Sequence, residues 1–192
     1  MATSEGDGEV SDSATEMRQG GAVASGKAQS KLGNGIRGLG PGGPGDGGVG
    51  RAQRWVFVAP QGQSDSEYAK QLDFFGIELG TFEGSNTVKY ASNFSGTPIS
   101  RTGLSGQEKR LYISWQGQAR KQFDIELMRK AQIEVGNRPV LQFLPEKLVQ
   151  TIAQLEVRYK GRQPGEIAQT RFTVQSSGGG YAFVILEQKS LR

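Results

Sequence analysis

The stretch PVLQFLPEKLVQTIAQLEVRYKG, residues 139–161, decides the fold of this chain. Within it Leu144, Leu148, Ile152, Leu155 and Tyr159 recur at intervals of four, four, three and four, and so line one side of a helix of 3.6 residues per turn. Glu146, Lys147, Gln150, Gln154 and Arg158 point elsewhere, which predicts a core-facing helix over residues 144–160. Its ends are marked chemically. Pro145 suits the first turn, where a missing N–H costs nothing, Arg158 and Lys160 complement the negative end of the helix dipole, and Gly161 can adopt a left-handed cap. A strand-like run at 139–143 precedes the helix, and two more, at 167–175 and 181–188, follow it.

Working outward, the composition divides the 192-residue chain near residue 50. Residues 1–31 interleave Ser, Gly, Ala, Glu and Asp with isolated apolar residues and bury too little surface to offset the entropy of ordering. In residues 33–50, ten of the eighteen positions are glycine without a strict triplet period, so a flexible spacer is expected rather than a collagen helix. The reading is a disordered tail and spacer at 1–50, followed by a single α+β domain at 51–192.

The chain has no cysteine and no histidine. Disulfides, thiolate chemistry, Cys-ligated metals and every Ser–His or Cys–His nucleophile pair are therefore excluded within this sequence. Residues 1–50 carry four Lys/Arg against six Asp/Glu, while residues 51–192 carry nineteen against thirteen, making the domain basic. There is neither a signal-peptide pattern nor an apolar run long enough to span a bilayer. A cytoplasmic protein is the default expectation, with an envelope association open if the true start lies upstream.

In chain order, Trp55, Val56, Phe57 and Val58 read as a first core strand. Ser64 with Glu67 forms a capping box ahead of Tyr68, Leu72 and Phe75 at helical spacing, and Gly76 closes that helix. Alternating apolar residues on either side of Glu83-Gly84-Ser85-Asn86 predict a hairpin of strands 77–82 and 87–93. Residues 94–108, rich in Ser, Gly and Thr and without periodicity, read as a long mobile loop. Leu111, Ile113 and Trp115 alternate as a half-buried strand. Residues 119–135 fit strand or helix, with Phe123, Leu127, Ala131 and Val135, the charge pairs and the closing Gly136-Asn137 favouring helix. Gly178-Gly179-Gly180 reads as a hairpin loop, and the apolar run from Tyr181 to Leu186 reads as a strand buried on both faces or central in its sheet. The result is a mixed, mainly antiparallel sheet of about five to seven strands with two or three helices packed on it.

No motif carries chemistry. Gly21 to Lys27 copies the front of a phosphate-binding loop, but Ala28 replaces the magnesium-binding hydroxyl and no strand precedes it. Asp73, Glu78 and Glu83 are the only nearby carboxylates, and alternating or helical exposure explains them equally. Cations do stand beside aromatics, at Arg54 with Trp55, Lys109 and Arg110 with Tyr112, and Arg171 with Phe172. With Arg101 in the long loop, Arg54, Lys109, Arg110, Tyr112 and Arg171 are the candidate binding residues, by the stacking and neutralising logic of single-stranded nucleic-acid sites. The strand pattern nevertheless turns Trp55, Phe57 and Phe172 inward.

The segment QLDFFGIELG at 71–80, together with VLQFLP at 140–145 and its Leu/Gln-rich helix, resembles a family of uncharacterised proteins from planctomycete bacteria over most of residues 52–188. The resemblance implies a small α+β domain behind a Gly/Pro-rich spacer, with some members similar in layout to energy-transducing envelope proteins and no established catalytic residues. The expected function is that of a non-enzymatic interaction module binding protein without a cofactor or metal, through residues 94–108, a sheet edge or the basic surface. The alternatives are weak nucleic-acid binding through basic and aromatic side chains, and a hydrolase-like enzyme using carboxylates.

Overall fold

A computed structural model describes residues 49–114 and 118–191. Residues 1–48, which hold the tail, Gly21 to Lys27 and all but the last two residues of the spacer, and Trp115 lie outside the described residues. The elements run α1 (Arg51–Arg54), β1 (Trp55–Phe57), α2 (Asp65–Phe75), β2 (Glu78–Glu83), β3 (Thr87–Ser92), β4 (Ile99–Leu104), β5 (Tyr112–Ile113), α3 (Gln118–Lys130), β6 (Leu141–Phe143), α4 (Glu146–Lys160), β7 (Ile167–Ser177) and β8 (Gly180–Ser190). The class is α+β. Among the described residues eight strands fall into two sheets, a three-stranded mixed sheet ordered β1-β7-β8 and a five-stranded antiparallel sheet ordered β4-β3-β2-β6-β5.

The local signals hold where short-range chemistry specifies them. Ser64 and Glu67 cap α2 reciprocally, the Glu67 amide donating to Ser64 Oγ at 3.2 Å and the Ser64 amide to Glu67 Oε2 at 3.0 Å. Gly76 closes α2 at φ 65°, and Gly161 closes α4 at φ 66°. Gly178 and Gly179 turn the β7–β8 hairpin, both at positive φ as a primed turn requires. Residues 118–130 are helical, as the charge pairs predict, but α3 ends at Lys130, earlier than Gly136, and Gln132 beyond it turns the chain at φ 62°.

The main core gathers Trp55, Phe57, Tyr68, Leu72, Leu79, Ile113, Leu127, Met128, Leu144, Leu148, Ile152 and Phe172. A smaller cluster of Val88, Tyr90, Tyr112, Leu141 and Phe143 covers the opposite face of the five-stranded sheet. That sheet is therefore apolar on both faces, and this is why Tyr112, which the alternation turns outward, is buried.

Three further expectations are corrected. Residues 94–108 contain β4, so they are not a structureless loop. The buried stripe of α4 runs through Leu148, Ile152 and Glu156, while Tyr159 is exposed, because a buried arginine takes the Glu156 carboxylate as its partner. Among the described residues β8 is an edge strand, with side chains between Tyr181 and Ile185 only partly buried and Leu186 exposed. Among the described residues no helix is long and apolar enough to cross a membrane.

Candidate functional site

Strand β4 is built from the end of the β3 hairpin arm. Asp73, at the end of α2, accepts the amides of Phe94 and Ser95 at 2.8 and 2.7 Å and the Ser95 hydroxyl at 2.5 Å. Asn93, at φ 61°, donates through Nδ2 to the Thr97 carbonyl at 2.7 Å. These contacts turn the chain back on itself, and β4 then pairs with β3 without a bulge from Ser92↔Ile99 to Thr87↔Leu104. The far end is fixed by the Ser105 amide and hydroxyl, which donate to the Asn86 and Ser85 carbonyls, each at 2.9 Å.

Among the described residues β4 has no strand on its outer side. Its side chains lie mostly exposed on both faces, with Ile99 60% and Leu104 56% exposed. An open, regular edge offers unpaired amides and carbonyls in strand register, with the apolar Ile99 and Leu104 at its ends and a single charged side chain, Arg101, between them.

Beside β4 lies a cluster of arginine, tyrosine and glutamate. The Arg101 guanidinium sits 3.9 Å from the centroid of the Tyr90 ring, and Arg110 lies 5.2 Å from Tyr90 and 5.3 Å from Phe143. Arg101 Nε donates to Glu78 Oε1 at 2.8 Å, its Nη2 pairs with Oε2 of the same carboxylate, and Arg110 Nη1 donates to that Oε2 at 2.6 Å. Glu108 Oε2 accepts from Arg110 Nη2 and from the Tyr90 hydroxyl, both at 2.7 Å.

Burial alone would raise the Glu108 carboxyl, but hydrogen bonds from Arg110 and Tyr90 outweigh it and hold the group at about 2. Glu78 is likewise lowered, its partial burial being offset by Arg101 and Arg110. The Tyr90 phenol is pushed up to about 12, first by burial and then by the Glu108 carboxylate. Two guanidinium groups thus face two carboxylates, and the cluster is close to neutral.

The structure brings together only part of the predicted set. Arg101, Lys109 and Arg110 gather near β4, with Lys109 exposed and its ammonium on the Gly106 carbonyl at 3.3 Å. Tyr112 is near them in the sheet but buried. Arg54 is fully buried in an ion pair with Glu156 and so presents no binding surface, because the polar interior around α4 claims it. Arg171 is half-exposed on the other sheet, paired with Glu187 at 3.6 Å.

The three carboxylates weighed for chemistry are dispersed. Asp73 holds amides, Glu78 holds arginines, and Glu83 pairs with Lys89 at 2.9 Å and Arg138 at 3.2 Å. Among the described residues no three His, Cys, Asp or Glu side chains gather as a metal site. Sequence reasoning missed Tyr90, Glu108, Ile99 and Leu104. The one signal available was the β-branched Ile99 and Thr102 following Pro98. Comparison with family models, with curated proteins and with solved structures finds no match to this chain.

Proposed function

We propose that the domain is a non-enzymatic protein-binding module that takes an extended segment of a partner along β4. The observation that carries this reading is the open outer side of β4, with exposed Ile99 and Leu104 at its ends. Strand addition draws affinity from main-chain hydrogen bonds and selectivity from alternate side chains, and β4 offers both. The arginine cluster supports the same reading, since Glu78 and Glu108 neutralise Arg101 and Arg110 and leave apolar and main-chain contacts as the main attraction. Stacking of nucleic-acid bases finds less support here, because Tyr90 and Tyr112 are buried and Arg101 and Arg110 already lie over the Tyr90 ring. Chemistry by carboxylates finds less support for the same reason, each being engaged by amides or cations.

The test is selection of displayed peptides on the full chain, followed by hydrogen exchange with a selected peptide. Amide protection gained along residues 99–104, and lost in an I99K/L104K double variant, is the expected result. Both side chains are more than half exposed, so that variant should keep its stability to within about 0.5 kcal/mol. Peptides that protect other strands, or that bind the variant equally, would remove the proposal.

A further inference from the structure

Helix α3 buries Phe123, Leu127 and Met128 on its inner side, yet on the same side it buries a carboxyl, Asp124, which is 3% exposed. An isolated ionised carboxylate at such a position is strongly unfavourable. The Tyr68 hydroxyl of α2 donates to Asp124 Oδ1 at 2.7 Å, and Gln142 Nε2 of β6 donates to the Tyr68 oxygen at 2.5 Å. Tyr68 thus links the Asp124 carboxyl to Gln142.

One turn earlier on α3, the Arg120 guanidinium lies 4.0 Å from the Tyr68 ring centroid, and its Nη2 donates to Gln63 Oε1 at 3.0 Å. Gln63 in turn donates to Gln71 Oε1 at 2.5 Å. The titratable and charged groups that face Asp124 are thus Tyr68 from α2 and Arg120 from its own helix, while β6 brings only the neutral Gln142.

Two buried amide atoms of this corner lack partners among the described residues, the Gln71 Nε2 donor on the Gln63 side and an acceptor on the β6 side. The buried Gln142 Oε1 has no partner among the described residues. An ionised Asp124 is itself acceptor-only, whereas a neutral carboxylic acid adds the missing O–H. We propose that Asp124 is a proton-operated latch, which ties α3 to α2 and β6 while it carries its proton and loosens α3 when the proton leaves.

Burial pushes the Asp124 carboxyl up to about 7, against the Tyr68 hydrogen bond, the Arg120 charge and Gln142. In the unfolded chain an aspartate titrates at about 3.9. The folded protein therefore binds the extra proton between these values. The contribution of the latch is fully present below about pH 4 and declines as pH rises to about 7. Gln142 pairs with Leu79 of β2 and Ile113 of β5, so the latch is built into the five-stranded sheet that ends in β4.

The test uses the full chain labelled with ¹³C at the aspartate carboxyls, with D124N to assign the resonance. A midpoint near neutrality is expected, together with α3 amide protection at least about tenfold lower at about pH 8.5 than at about pH 5.5, after correction for intrinsic exchange. The D124N amide can accept from Tyr68 and donate to Gln142, so its α3 protection should stay level across the same range. An Asp124 midpoint below about pH 5 would overturn the latch. So would α3 protection in the wild type that does not change with pH. Should D124N fail to fold, mutation of the other aspartates assigns the signal and the wild-type titration decides alone.

Discussion

Replacing Glu156 with alanine should destabilise the domain severely, and the structure supplies the size of the effect. Arg54 and Glu156 are both fully buried. Arg54 Nε lies 3.1 Å from each carboxylate oxygen, its Nη2 donates to Oε2 at 2.9 Å, and the Thr170 hydroxyl donates to Oε1 at 2.7 Å. Alanine would leave the guanidinium in the interior with the Val49 carbonyl, at 2.7 Å from Nη1, among its remaining partners, and would strip Thr170 of its acceptor.

Breaking one side of a buried pair costs about 3–5 kcal/mol, whereas replacing both partners with apolar side chains of similar volume is often neutral or better. The Thr170 loss belongs to the same disruption, so about 4 kcal/mol is expected for E156A, a large share of the 5–15 kcal/mol typical of a domain. With a urea slope of about 2 kcal/mol/M, the unfolding midpoint should fall by about 2 M, and R54M/E156M should recover most of it. A fall below about 0.5 M would refute the account of Arg54 as an uncompensated charge. A double variant as unstable as the single would refute it equally, since removing the unpaired charge while keeping the volume would then have restored nothing.

Two other outcomes follow from the five-stranded sheet. A Cβ at Gly80 would stand 2.7 Å from a Phe143 ring carbon, 3.0 Å from the Lys89 carbonyl and 3.1 Å from the Tyr90 ring, so G80A should lower chemical stability by about 1–3 kcal/mol through overpacking. Glu108 is held at about 2, below its unfolded value, so its contribution is present above about pH 4.3 and is lost as pH falls towards 2. E108Q should have a lower melting temperature than the wild type at neutral pH and a shallower decline in acid; an unchanged acid limb would contradict this.

The arginines of the candidate site were visible as cations beside aromatics, but their setting was not. Arg110 was read with its neighbour Tyr112, whereas its guanidinium lies over Tyr90 and Phe143 and is held by Glu78 and Glu108. Glu78 stands 32 residues away in the chain, beyond any pattern of spacing. Strand β4 went unread because hydrophobic periodicity records burial, and a strand exposed on both faces carries little of it.

By itself the sequence determined the elements whose specification is local. The Ser64–Glu67 box and Gly76 set α2, the apolar spacing set most of α4, and the paired glycines set the β7–β8 turn, since each depends on groups within a few residues. Tertiary structure alone decided that β8 is an edge, that β4 pairs with β3, and that Glu156 displaces Tyr159 from the core. The last choice rests on Arg54, 102 residues away in the chain. Side-chain periodicity records how much of a face is buried. Which partner buries it, and whether a polar group there is satisfied, depends on contacts that form only when distant segments meet.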